Sequence, residues 1–122
     1  MNETSLAIAV VDDEPQMRKA LRRLLSSHGF RVDDYQRGSD FLAALPSYPV
    51  ACLILDLHMP EFSGFQVLTA LQGINTPIVV LTGHDEPGAA ERTRRLGASA
   101  YLKKPVDERA LISAIRSAIA EG

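Results

Sequence analysis

The chain has 122 residues, of which 46% are hydrophobic and 23% charged, with a formal charge of −2. That length suits one domain with one core, needing no metal or disulfide staple, and the mild negative charge argues against a general nucleic-acid or membrane binder. The one cysteine, Cys52, lies in an apolar run and reads as a small core residue in a reducing compartment. The first apolar run, Leu6 to Val11, has no basic region before it and is too short for a signal peptide or a membrane span. The expectation is a soluble, cytoplasmic protein.

In chain order, short apolar runs alternate with segments of helical period. The first strand is "LAIAVV" (6–11). Met17, Ala20, Leu21, Leu24 and Leu25 then form a helical stripe, with Pro15 in the first turn and Gly29 as the stop. The second strand, "FRVDDY" (30–35), is largely polar and precedes a short helix around Ser39–Leu45, closed by Pro46. The third, "ACLIL" (51–55), leads to a helix around Gly64–Gln72. The fourth, "IVVL" (78–81), leads to a weaker helix from about Pro87 to Leu96. The fifth, "AYLK" (100–103), is followed by a last helix with Ala110, Leu111, Ala114, Ile115, Ala118 and Ile119 on one face, started at or near Asp107.

This alternation predicts an α/β fold, a parallel sheet with five helices covering both faces. Strands 1, 3 and 4 are continuously apolar, as burial on both sides requires. Strands 2 and 5 carry charge and suit the edges. That fits the flavodoxin-like order 2-1-3-4-5, although periodicity does not order the middle three.

All strands of a parallel sheet open on one rim at their C-terminal ends, where ligands gather. Here strand 1 ends in Asp12-Asp13-Glu14, strand 3 in Asp56, strand 4 in Thr82 and strand 5 in Lys103-Lys104-Pro105. Crowded carboxylates are costly to ionise together, and a hard divalent cation such as Mg²⁺ relieves that cost through oxygen ligands. A lysine adds a point charge for a phosphate oxygen, and a threonine hydroxyl adds a hydrogen bond. Beside a cation and a lysine, Asp56 would be held as the anion and could attack phosphorus. Read singly, each residue has a plainer role. Asp12 and Asp13 suit a turn and helix N-cap, Asp56 a strand-ending turn, Thr82 a sheet residue and Tyr101 a packed edge aromatic.

Four motifs, "VVDDEP" (10–15), "LDLHMPEFSG" (55–64), "VVLTGH" (79–84) and "AYLKKP" (100–105), taken in this order and spacing, resemble the receiver domain of two-component response regulators, the CheY-like superfamily. The likeness runs from Leu6 to about Ala120, and in style it is nearest to receivers joined to helix-turn-helix transcription factors. It implies that Asp56 accepts a phosphoryl group from a histidine kinase or histidine phosphotransfer protein. It implies Mg²⁺, with Mn²⁺ as a substitute, bound by Asp13, Asp56 and the His58 backbone carbonyl, with Asp12 acting through water. It makes Lys104 the phosphoryl contact, Thr82 and Tyr101 a switch pair, and the Lys104–Pro105 bond cis. His58 and His84 would flank the path of the hydrolytic water and tune phosphoryl lifetime; as metal ligands they are poorly matched to Mg²⁺.

The expected molecule is one receiver domain over 1–122, without an effector domain, membrane segment or direct nucleic-acid contact. It would assist its own phosphorylation and dephosphorylation without being an enzyme on an outside substrate. Its output would pass to a partner or a linked effector domain, with a phosphorylation-dependent homodimer as one form. Glu14 reads as a solvated loop acid. The basic set on helix 1 (Arg18, Lys19, Arg22, Arg23) reads either as a solvated face or as the phosphodonor's docking surface. The poorly anchored segment 85–99 reads either as an ordinary surface helix or as the moving part of a switch.

Three alternatives compete. An aspartyl-phosphate phosphatase would usually carry a second aspartate where His58 stands, and a flavodoxin would want a Ser/Thr/Gly-rich phosphate loop in place of "DDEPQ". A degenerate receiver would lack some of the phosphorylation residues, and this sequence has them all.

Overall fold

A computed structural model describes residues 6–45 and 50–121 of the chain. Ten elements alternate along it: β1 (Ala7–Val11), α1 (Pro15–Ser27), β2 (Arg31–Tyr35), α2 (Gly38–Ala44), β3 (Cys52–Leu55), α3 (Gly64–Ala70), β4 (Ile78–Thr82), α4 (Ala89–Arg95), β5 (Ala100–Lys103) and α5 (Glu108–Glu121). The strands form one parallel sheet in the order β2-β1-β3-β4-β5. The polar strands are at the edges and the apolar ones at the centre, and the pairing of β3 with both β1 and β4 resolves the order of the middle three. Among the described residues no helix is long and apolar enough to cross a membrane.

Alternation along each central strand divides the core into two layers. Ile8, Val10, Cys52, Ile54, Val79 and Leu81 face α1 and α5, where they meet Leu21, Leu25, Leu111 and Ile115. Ala9, Val11, Leu53, Leu55, Ile78 and Val80 face the other way, onto Phe41, Leu57, Val67, Leu68 and Leu71. Cys52 is fully buried, and burial pushes its thiol up to about 12, so it stays a protonated core residue.

Helix boundaries follow local chemistry. Pro15 opens α1, and Gly29 takes the left-handed conformation (φ 89°) just past its end. The first stripe needs one correction: Ala20 is exposed, because Met17, Leu21, Leu24 and Leu25 already span the face that meets the sheet. On α5 the buried position is Ile112 rather than Ala110. Asp107 caps α5 by accepting from the Ala110 amide at 3.0 Å. The helices α3 and α4 are shorter than their periodicity suggests. Past α3 the chain turns at Leu71 and Gly73 (φ 87°), and α4 is bracketed by left-handed Gly88 and Gly97. Pro46, expected to close α2, lies outside the described residues.

Candidate functional site

In the order β2-β1-β3-β4-β5 the connections reverse direction between β1 and β3, the switch point where such sheets bind ligands. The acids of β1 and β3 fall on its two sides. Hydrogen bonding that continues the ladder past each strand end sets their positions. Asp12 donates its amide to Tyr35 O (3.2 Å), Asp56 to Val11 O (3.0 Å) and Lys104 to Thr82 O (2.8 Å). Backbone pairing therefore delivers three side chains to the rim before those side chains make any contact of their own.

Carboxylate oxygens of Asp12, Asp13 and Asp56 lie within 4.8 Å of one another. Lys104 Nζ reaches into this group, 2.9 Å from Asp12 Oδ2, 3.8 Å from Asp56 Oδ1 and 3.9 Å from Glu14 Oε1. Asp12 and Asp56 are buried, whereas Asp13 is half-buried and opens toward solvent. Asp12 is already engaged at both oxygens, since Oδ1 accepts from the Glu14 amide at 2.9 Å. This local turn is the plainer role foreseen for an aspartate at this position, and it coexists with the ion pair. The N-cap position of α1 belongs to Glu14, whose side chain makes no capping bond.

Burial, then the charge of Asp12 and to a lesser degree Asp13, push the Asp56 carboxyl up to about 6, against the opposing pull of Lys104 and the His58 amide. Burial alone would lower the Lys104 ammonium, but the Asp12 hydrogen bond and the surrounding carboxylates raise it above its ordinary value. The arrangement is an excess of buried negative charge with one fixed cation, which a divalent ion would complete.

Gly64 explains the spacing of the second motif. A Cβ there would strike the Asp56 carbonyl oxygen and come within 2.7 Å of Leu57 Cα. Its amide donates to Leu57 O at 2.9 Å, so α3 starts hard against the strand end that carries Asp56. Ser63 and Gln66 form a capping box that fixes this start.

The remaining candidates form a second cluster around the loop after β4. Thr82 is wholly buried. Its Oγ1 accepts from the His84 amide at 3.1 Å and donates to the His84 carbonyl at 3.2 Å. His58 Nε2 lies 3.1 Å from that same carbonyl, and the two imidazoles meet edge to face at 5.2 Å. Tyr101 packs its ring on the core and turns its hydroxyl outward, donating to Asp85 Oδ1 at 2.8 Å. Burial and then the Asp85 hydrogen bond push that phenol up to about 12. Lys103 Nζ sits 3.6 Å from the other Asp85 oxygen, so the two lysines serve different clusters, as side-chain alternation requires. The Lys104–Pro105 peptide is cis.

Sequence reasoning missed Asp85, which ties Tyr101 to Lys103. It also read Arg18 and Arg22 as a solvated face or a docking surface, whereas both bind Asp34 of β2. No local pattern signals such pairs, because their partners lie on other elements.

A family model described as response regulator receiver domain matches residues 8–116. The transcriptional regulatory protein FixJ of Azorhizobium caulinodans is 34% identical over 117 residues, covering 94% of this chain and 56% of that protein. The C4-dicarboxylate transport transcriptional regulatory protein DctR of Rhodobacter capsulatus is 36% identical over 120 residues, covering 95% and 61%. The chain thus spans little more than half the length of these curated relatives. Among solved structures, FixJ-N superposes with a TM-score of 0.89 at 34% identity, covering 97% of this chain and 96% of that one. A response regulator receiver protein from Burkholderia phymatum gives 0.85 at 37% identity, covering 95% and 96%. With sheet order, acidic cluster and family match in agreement, the chain belongs to the response regulator receiver domain family.

Proposed function

We propose that this receiver accepts a phosphoryl group on Asp56 from a histidine kinase or histidine phosphotransfer protein, and that the modified state is read by an output domain or partner, such as a transcriptional one. One observation carries the reading: Asp56 stands at the end of a fully buried strand, with Asp12 and Asp13 within 4.8 Å and Lys104 Nζ 3.8 Å away. Receiver domains bind Mg²⁺ at an acidic aspartate cluster, and the donors in this cluster suit that hard cation. Asp13, Asp56 and the His58 carbonyl are the proposed direct ligands. Asp12, with both oxygens already partnered, would act through water.

In this reading an Asp56 carboxylate oxygen attacks phosphorus in line. The new P–O bond forms as the bond to the donor's imidazole nitrogen breaks, and that nitrogen keeps the electron pair. The cation supplies charge neutralisation at the phosphoryl oxygens and lowers the cost of ionising Asp56. Lys104 would exchange part of its hold on Asp12 for a phosphoryl oxygen. Thr82 would give up its bond to the His84 carbonyl to reach another, and Tyr101 would leave Asp85 and turn inward. His58 and His84, which meet edge to face beside that loop, would limit water access. The exposed Lys19 and Arg23 remain for phosphodonor docking. The domain acts on its own acyl phosphate and on no outside substrate.

Incubation with acetyl phosphate and Mg²⁺ tests this by intact mass. The wild type should gain one phosphoryl group, and Asp56→Asn should gain none. A wild type that binds the cation yet takes no phosphoryl group would overturn the reading in favour of a partner-binding domain without phosphorylation.

A further inference from the structure

The acidic cluster is held from behind by a group that touches neither the clustered carboxylates nor the lysine. Arg18 Nη1, from the first turns of α1, donates to the Asp12 main-chain carbonyl at 2.7 Å. Its Nε lies 3.3 Å from Asp34 Oδ2 on β2. The other Asp34 oxygen is taken by Arg22 Nη2 at 2.5 Å, and Arg22 Nη1 also donates to Val32 O at 3.1 Å. Burial would raise the Asp34 carboxyl, but the hydrogen bond and charge of Arg22, with Arg18 behind them, bring it below its ordinary value. Asp34 is therefore an anion that clamps two arginines.

We propose that Arg18 is a positioning residue of the cation site, which acts by fixing the peptide that joins Asp12 to Asp13. That carbonyl belongs to the 12–13 peptide, so its direction sets the backbone angle from which the Asp13 side chain leaves. Asp12 itself has other anchors: its amide on Tyr35, and its two oxygens on Glu14 and Lys104. Among the described residues no hydrogen bond reaches the Asp13 carboxylate. With no hydrogen bond to fix it, its aim rests on the backbone it leaves from, and Arg18 holds that backbone at the Asp12 carbonyl. Guanidinium geometry suits this task, because a planar fork can serve a carbonyl and a carboxylate together. The inference rests on the reading of Asp12, Asp13 and Asp56 as a divalent-cation site.

The test compares Arg18→Met with Arg22→Met. Both remove a guanidinium from Asp34 and keep an aliphatic stem on α1, but only Arg18 contacts the 12–13 peptide. Titration with Mn²⁺, followed by paramagnetic broadening of the rim amides, reads cation half-saturation without any phosphoryl transfer. Arg18→Met should raise the half-saturating concentration about tenfold, the lower end for groups that orient a metal ligand. Arg22→Met should leave it within about twofold of the wild type while losing comparable thermal stability. With acetyl phosphate, Arg18→Met should recover most of the phosphorylation rate at saturating Mg²⁺. Equal shifts in the two variants would assign both to general loosening between α1 and β2 and overturn the proposal, as would an unshifted Arg18→Met. A wild type with no saturable Mn²⁺ broadening would instead remove the cation site on which the proposal rests.

Discussion

Asp56 carries a conflict that shows in folding as well as in chemistry. Its carboxyl sits at about 6 in the folded chain against an ordinary value of 3.8. Between those values the folded state holds a proton that the unfolded state has lost. Without a cation, stability therefore falls as pH rises from about 4 to about 6 and stays low above that. The difference corresponds to roughly 2–3 kcal/mol. Asp56→Asn keeps the shape and removes the charge, so at pH 7 it should be more stable than the wild type by up to about 2–3 kcal/mol. Urea unfolding across pH checks this. The gap between the two proteins should be small near pH 4 and full by pH 7. A gap independent of pH would contradict the burial of the Asp56 charge as its cause.

Among the elements, α4 is lightly attached. It buries only Ala89 and Thr93, has a glycine at each end, and leans on α3 through the Arg92 guanidinium, 4.0 Å from the centre of the Phe65 ring. Gln72, just past α3, donates to Leu96 O at the far end of α4. These two contacts connect the helix that starts beside Asp56 with the helix that follows Thr82. An exposed cation–π contact contributes about 0.5–1 kcal/mol. Phe65→Ala should therefore speed amide exchange over residues 89–96 about two- to fivefold and leave α1 and α5 unchanged. The same measurement with beryllofluoride bears on the switch reading, since unchanged protection over residues 82–105 would count against it. Elements with few buried contacts open most readily, and this one connects Thr82 to strand β5 along the chain.

At the scale of the whole molecule the sheet has a core on both faces, so neither side is expendable. Leu53 and Ile54 are neighbours on β3 whose side chains enter opposite layers, and both are essentially unexposed. Leu53→Ala and Ile54→Ala should each cost about 2–5 kcal/mol, lowering one cooperative transition monitored by circular dichroism. A variant that melted one layer alone would show the two faces to be independent. The rigidity of β3 also has a functional consequence: Asp56 is the next residue after it, held by its amide on Val11 O.

Much of this architecture was legible from order and polarity along the chain. Alternating apolar runs and helical stripes specify a parallel sheet because a strand covered on both faces has no room for polar side chains, and the charged runs in β2 and β5 exclude those strands from the centre. The acids, the threonine and the lysine each come directly at a strand end, so their convergence on one rim follows from parallel topology alone. Other features required the fold. The middle strand order depends on which strands pair, and Gly64 is explained only by the carbonyl that its missing Cβ would strike. Arg18 beside the Asp12 carbonyl, Asp85 between Tyr101 and Lys103, and Arg92 over Phe65 join residues from different elements. Strand and helix periods report which way a side chain faces. They carry no information about which distant partner it meets, because that is set when the elements pack.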